Sequence, residues 1–295
     1  MLTRVIIALA LVALTGSVAE AQVWRSGGAF GVFRSVGTVE GNFPLDGFAT
    51  QPANCYSERR LRSAYATDKG INIIRASDSA VLDIGFSSGM PNTAAEATHC
   101  AATTCKTVTL YDQCGSNNLT QATDANRFTR QAGPGSFRAS QATAGAQTMA
   151  GGSNITPATG VMSFATVMNR ALGTGQCRLQ LNGANQIWRA RSGLADTWQL
   201  SGGTSGLLNT ASAFPDGTWH AAAGNFADSA ANILVNSTQA NGGNTVSNTT
   251  AGAPGLNGAN TTTCNFLEAI IWDNYILTLV ERTYLNNTAR IAWGF

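Results

Sequence analysis

The chain has 295 residues, of which 44% are hydrophobic and only 12% charged, with 18 basic against 16 acidic side chains and a net charge of +2. Two lysines, and arginines scattered without a basic run, leave no electrostatic footprint for nucleic acid. Beyond the N-terminus no apolar run approaches the ~20 residues that a membrane-spanning helix needs, so Asn, Thr, Ser, Gln and Gly must carry solubility.

The first element is Arg4 followed by ten apolar residues, Val5 to Leu14, then a polar break and Ala19-Glu20-Ala21. This is the plan of a secretory signal peptide over 1–21, cleaved before Gln22. It predicts a secreted protein, extracellular or at the cell surface, with no membrane attachment after processing. The remainder, 22–295, is read as a single domain.

Short apolar runs separated by turn residues then predict strands at 71–76, 80–86, 106–112, 161–169, 178–182, 218–226, 231–237 and 266–273. Segments 131–157 and 238–263, rich in Gly, Ser, Thr and Asn, read as long rim loops. In FLEAIIWD, strict alternation places Phe266, Glu268, Ile270 and Trp272 on one face and Leu267, Ala269 and Ile271 on the other. One helix is predicted, over 277–291, with Thr278 as N-cap and Glu281 completing a capping box. The fold class is all-β: a concanavalin A-like (jelly-roll) β-sandwich with one short C-terminal helix.

Six cysteines in an exported chain point to disulfides rather than metal ligands, and no CxxC occurs. Fifteen pairings are possible. The pairing expected joins Cys100 to Cys105 across a short loop, Cys55 to Cys114 and Cys177 to Cys264. No metal and no cofactor are expected. Six Asn-X-Ser/Thr sequons, at Asn118, Asn154, Asn236, Asn248, Asn260 and Asn286, bear weight only in a glycosylating host.

The stretch HCAATTCKTVTLYDQCGSNNLTQA resembles the cysteine loop and YDQ…LTQA segment of the fungal-type α-L-arabinofuranosidase B catalytic domains. YSERRLRSAYATDKGINIIRASDSAVLDIGF is similar to an upstream segment of the same family, and together the two cover about 55–123. The resemblance implies a retaining glycosidase on a concanavalin-like sandwich. Cys114 departs from it, because the family has Ser there, and a disulfide to Cys55 would account for the change. FPDGTWHAAAGNFADSAANILVNST also looks like the central hairpin of laminin-G and concanavalin-type domains. Its His220 reads as structural rather than as a catalytic base.

Retaining glycoside hydrolysis requires two carboxyl groups about 5–5.5 Å apart. The resemblance would place the nucleophile within RLQLNGANQIWRARSG (178–193) and the acid/base at Ala259. Neither place holds an acid. No Asp or Glu occurs between Asp124 and Asp196, a span with seven arginines, or between Asp228 and Glu268. Substitute catalytic candidates are Asp196 and Glu268. Asp78, Asp83 and Asp112 read as turn-stabilising, with oxygen ligation of a cation as the other option. Trp188, Arg189, Arg191 and Trp198, with Asp196, cluster where the family's cleft would run and are the candidate substrate-binding residues.

The leading expectation is a secreted carbohydrate-binding or adhesion module on an arabinofuranosidase fold, without hydrolysis, its partner a polysaccharide or glycan. The alternatives are an active retaining α-L-arabinofuranosidase and a structural decoration protein of a virion, appendage or cell surface that self-assembles or docks a surface partner.

Overall fold

The segment QCRLQL alternates polar and apolar residues. In the structure its Cys177, Leu179 and Leu181 are buried, whereas Gln176, Arg178 and Gln180 are half-buried on the opposite face. The same period of two builds most of the molecule. The structure, a computed structural model, describes residues 43–143, 147–157, 161–170, 176–181, 185–189, 197–202, 205–210, 214–226, 231–241, 251–259 and 263–295. Of these, 185–189, 201, 202, 205–207, 209, 240, 241, 258 and 259 are described as backbone only. The segment read as a signal peptide, 1–21, lies outside the described residues, and Phe43–Phe295 forms one unit.

In chain order the strands are β1 (Asn54–Ser57), β2 (Ile71–Arg75), β3 (Val81–Ile84), β4 (Phe86–Ser87), β5 (Met90–Pro91), β6 (Cys105–Leu110) and β7 (Leu119–Thr120). Next come β8 (Phe128–Ala132), β9 (Arg138–Ala142), β10 (Thr148–Gly151), β11 (Met162–Arg170), β12 (Gln176–Leu181), β13 (Asn185–Arg189) and β14 (Trp198–Gly202). The last are β15 (Ser205–Asn209), β16 (Trp219–Phe226), β17 (Asn232–Val235), β18 (Thr238–Asn241), β19 (Pro254–Ala259) and β20 (Cys264–Asp273). Two helices, α1 (Thr93–His99) and α2 (Leu279–Trp293), complete the described elements with a short 3-10 turn at Asp124–Asn126.

All described strand pairings are antiparallel, and they form two layers. In the first, β20 pairs with β11 on one side and with β1 and β9 on the other, and the layer continues through β16, β17 and β18. The second runs β3-β2-β6-β7-β10-β19-β12-β13-β14-β15. The β8–β9 hairpin joins the layers, because β8 pairs with β6 and β9 with β20. The Cys177–Cys264 disulfide ties β12 to β20, and Cys55–Cys114 and Cys100–Cys105 are also formed as expected.

Between the layers lie Phe164, Phe226, Ile233 and Phe266 from one side and Met149, Leu179, Leu200 and Leu256 from the other. Each such side chain contributes about 1.5–3 kcal/mol through removal from water. The layers approach closely at Gly224, where a Cβ would sit 2.9 Å from a Leu200 methyl carbon, so a larger residue would force Leu200 to shift. Helix α2 covers the other face of the first layer. Leu285 packs with Ala165, Ala223 and Trp272, and Ala289 and Trp293 pack with Val167, Ala221 and Leu267. Small side chains on the strands let the helix approach. Its start is the capping box read from the sequence: Thr278 Oγ1 accepts the Glu281 N–H, and Glu281 accepts the Thr278 N–H.

Three expectations need correction. The alternation in β20 breaks: a bulge opposite Val167/Met168 puts Phe266 in the inter-layer core with Ala269 and Ile271, and Leu267 beneath α2. The segments read as rim loops carry β9, β10, β18 and β19, so neutral polar composition there marks strands with a wet face. Helix α1 was not anticipated, since seven residues are too few to display a helical period.

Candidate functional site

The two windows in which the family resemblance would put catalytic acids are neighbouring strands. In the β12–β19 ladder Gln176 stands opposite Ala259, Arg178 opposite Asn257 and Gln180 opposite Gly255. Leu179 and Leu256 point into the core, so Gln176, Arg178, Gln180 and Asn257 share the outer face. Thr148 of β10 is in register with Asn257, and Trp188 of β13 is in register with Arg178. Arg178 donates through Nε (2.8 Å) and Nη2 to Gln176 Oε1, and burial pulls its pKa below the usual value. The side-chain oxygens of Gln180 and Asn257 are enclosed and accept no hydrogen bond. From β7 through β10, β19, β12, β13 and β14 to β15 no strand residue is Asp or Glu.

Of the sequence-predicted catalytic and substrate-binding residues only Trp198 and Glu268 are described with their side chains. Asp196 and Arg191 lie outside the described residues, and Trp188 and Arg189 are described only as backbone of β13. Trp198 is fully buried, its ring edge-on to His220 at 6.4 Å. A sugar-stacking plate needs an exposed face, so Trp198 belongs to the core and not to a binding surface. Glu268 is also buried, in a bidentate pair with Arg59 (2.5 and 3.2 Å) and accepting from Trp293 Nε1. It lies beneath α2, on the layer away from the β12–β19 face, and its oxygens are consumed by the fold. His220 contacts Thr218 Oγ1 (2.6 Å) and Asn236 Nδ2 (3.1 Å), as a structural histidine does.

The aspartates of the well-matched half act as the turn chemistry predicts. Asp112 Oδ1 accepts the N–H of Cys55 and Cys114, and Oδ2 accepts Asn54 Nδ2 and the Asn117 N–H. Gln113 beside it bonds Leu61, Ser57 and Arg59 backbone groups. The YDQC stretch is therefore scaffold, holding β1 against the turn before β7. Asp78 pairs with Arg75 and caps the Ala80 N–H, which lowers its pKa to about 2. Asp83 gathers Lys69, Tyr111 and Asn72, and its pKa is lowered by these partners against the opposing effect of burial. Among the described residues no cluster of three His, Cys, Asp or Glu side chains is placed to hold a metal ion.

One pair of carboxylates does converge, and sequence reasoning missed it. Glu58, after β1, and Glu96, on α1, clamp Arg130 of β8 from two sides: Nη1 and Nη2 to Glu58 at 2.5 and 2.8 Å, Nε and Nη2 to Glu96 at 2.7 and 3.1 Å. Ser140 and Thr107 extend the network. All three charged side chains are at most 1% exposed. Burial raises the Glu58 pKa against the opposing pull of Arg130, and the two carboxylates together hold Arg130 protonated. No substrate reaches this pair. Only the unanticipated helix α1 brings Glu96 to it.

Residues 44–170 match the family model described as the catalytic domain of alpha-L-arabinofuranosidase B, a wider span than the motifs alone suggested. No curated protein matches the chain in sequence. Among solved structures it is similar to an arabinofuranosidase complexed with arabinofuranosyl-alpha-1,2-xylobiose, with a TM-score of 0.64 and 17% identity over 85% of this chain and 65% of that one. It is also similar to a GH54 α-L-arabinofuranosidase soaked with a cyclic sulfate inhibitor, with a TM-score of 0.59 and 17% identity over 82% and 62%. The chain thus spans just under two thirds of the length of these enzymes, and at this identity the likeness is one of fold. Over residues 44–170 the chain resembles the alpha-L-arabinofuranosidase B catalytic domain, and across most of its length it carries an arabinofuranosidase-like β-sandwich.

Proposed function

We propose that the protein is a secreted carbohydrate-binding or adhesion module that keeps the arabinofuranosidase-like sandwich and does not hydrolyse its ligand. One observation carries the reading: the adjoining strands that would hold the acids, β12 and β19, present Gln176, Arg178, Gln180 and Asn257 and no carboxylate. A methyl group opposite Gln176, at Ala259, cannot donate a proton. Binding needs less than catalysis, namely fixed donors and an aromatic residue, and Trp188 of β13 is in register with Arg178. Secretion is supported by the signal-peptide pattern over 1–21 and by three disulfides, which persist in oxidising compartments.

The family resemblance itself favours a second reading, an active retaining α-L-arabinofuranosidase. With Glu268 sealed beneath α2, that reading rests on Asp196. Incubation with 4-nitrophenyl α-L-arabinofuranoside and arabinoxylan separates the two. No turnover is expected; turnover abolished by Asp196→Asn would replace the binding module with the enzyme. A polysaccharide pull-down signal lost on Trp188→Ala or Arg178→Ala is the expected positive result. Silence in both assays, with ordered assemblies under the microscope, would instead favour a structural surface protein that self-assembles.

A further inference from the structure

Helix α1 meets the β2–β3 hairpin at the edge of the second layer, and beside them runs an open groove of about 550 Å³. That volume is in the range of small-ligand sites. The groove is lined by Arg75 of β2, Leu82 of β3, and Asn92, Ala95, Thr98 and His99 on or beside α1. Leu82 and Ala95 pack against the inter-layer core, so part of the lining is apolar and held in place.

The polar groups have fixed roles. Asn92 Oδ1 accepts the Ala95 N–H (3.1 Å), which caps α1 and leaves Nδ2 as a donor without a partner among the described residues. His99 Nε2 lies 3.2 Å from the Ala80 carbonyl oxygen. A carbonyl only accepts, so Nε2 carries the proton and Nδ1 is left as an acceptor. Arg75 is held by Asp78, Nε to Oδ1 at 2.9 Å and Nη2 to Oδ2 at 2.5 Å, and by the His99 carbonyl at 3.4 Å from Nη1. Its charge is balanced and its Nε–Nη2 edge is spent, so the groove does not select an anion. Asn92 and His99 stand at opposite ends of α1, about 10 Å apart along its seven residues.

We propose that this groove binds a short neutral saccharide, at a site separate from the β12–β19 face. A sugar ring has an apolar C–H face to set on Leu82 and Ala95. Its hydroxyl groups both donate and accept, which suits one fixed donor and one fixed acceptor. The separation of Asn92 from His99 fits two linked rings rather than one. A wholly apolar ligand would strip water from both side chains and replace it with nothing, and an anion would find no free cation.

Xylobiose, titrated into the full chain and followed by NMR, tests the proposal. The ring C–H resonances of His99 and the side-chain amide of Asn92 should move in a saturable way, and digalacturonate at equal concentration should move them less. Thr98→Trp, at an exposed position of α1, fills the groove and should abolish the response, with an unchanged Tm as the check on folding. His99→Phe keeps a ring and removes Nδ1, and should raise the Kd about fivefold, read at Asn92. Unmoved resonances in the wild type, an undiminished response in Thr98→Trp, or a stronger response to digalacturonate would overturn the proposal. The readout is confined to this groove, so polysaccharide retained with His99 and Asn92 unmoved would sink this site and leave the β12–β19 reading standing.

Discussion

The interior around Arg130 and the outer face of β12 and β19 handle charge in opposite ways. In the interior, two glutamates and an arginine are locked together with almost no solvent contact, each nitrogen of Arg130 meeting an acid. Among the described residues of the face there is no acid, Arg178 donates to a neutral amide, and two amide oxygens have no donor. Both regions are polar, but only the first is completed by the protein itself. The difference separates residues whose polar atoms the sandwich satisfies from residues whose polar atoms it leaves unmet.

The strongest way to break the comparison is Arg130→Met. It strands two buried carboxylates and should cost about 3–5 kcal/mol, a fall of roughly 10 °C in Tm, read by calorimetry. If the loss stayed below about 1 kcal/mol, the interior cluster would not be the structural anchor described. Glu268→Ala should rank next. It leaves Arg59 and the Trp293 indole N–H unmet beneath α2, at a cost of about 1–3 kcal/mol, read as a lower urea midpoint.

The interior cluster also carries a pH signature. Burial raises the pKa of Glu58 above its ordinary value of 4.5. The folded state therefore binds a proton more tightly than the unfolded one, and the stability so gained is complete below about pH 4.5 and is lost as pH rises through the folded value. The urea midpoint of the wild type should accordingly fall as the pH rises above about 4.5. In Glu58→Gln that slope should flatten, because the amide keeps the shape and loses the proton. An unchanged slope would mean that Glu58 is already fully ionised in mild acid.

Much of this was legible in the sequence, for identifiable reasons. Strand β12, by its alternation, and β16, by a short apolar run after the Pro-Asp-Gly turn, announced themselves, and so did the α2 capping box, because Thr278 and Glu281 act on immediate neighbours. That the cysteines form disulfides followed from compartment and spacing, and the pairing expected among the fifteen possible is the one formed. What was not legible depends on long-range placement. The β20 bulge is invisible to a strict period of two, so Phe266 was put on the wrong face. Glu96 could not be matched to Arg130 without helix α1, and Trp198 looked like a binding residue until the layers closed over it. The absence of acids on β12 and β19 was plain in the sequence, whereas the adjacency of those strands came only from the ladder.

The smallest expected stability effect is on the face, and it is the sharpest discriminator. Arg178 is half-buried and donates to Gln176 Oε1, so Arg178→Ala removes a hydrogen bond at the edge of the face and leaves the inter-layer core untouched. Stability should fall by only about 0.5–1.5 kcal/mol, while retention on polysaccharide should weaken. A residue that costs little to lose in the folding midpoint and costs retention on the ligand is part of a surface, not of a scaffold. A loss of stability comparable to that of Arg130→Met, with retention unchanged, would instead make the β12–β19 amides another internal brace.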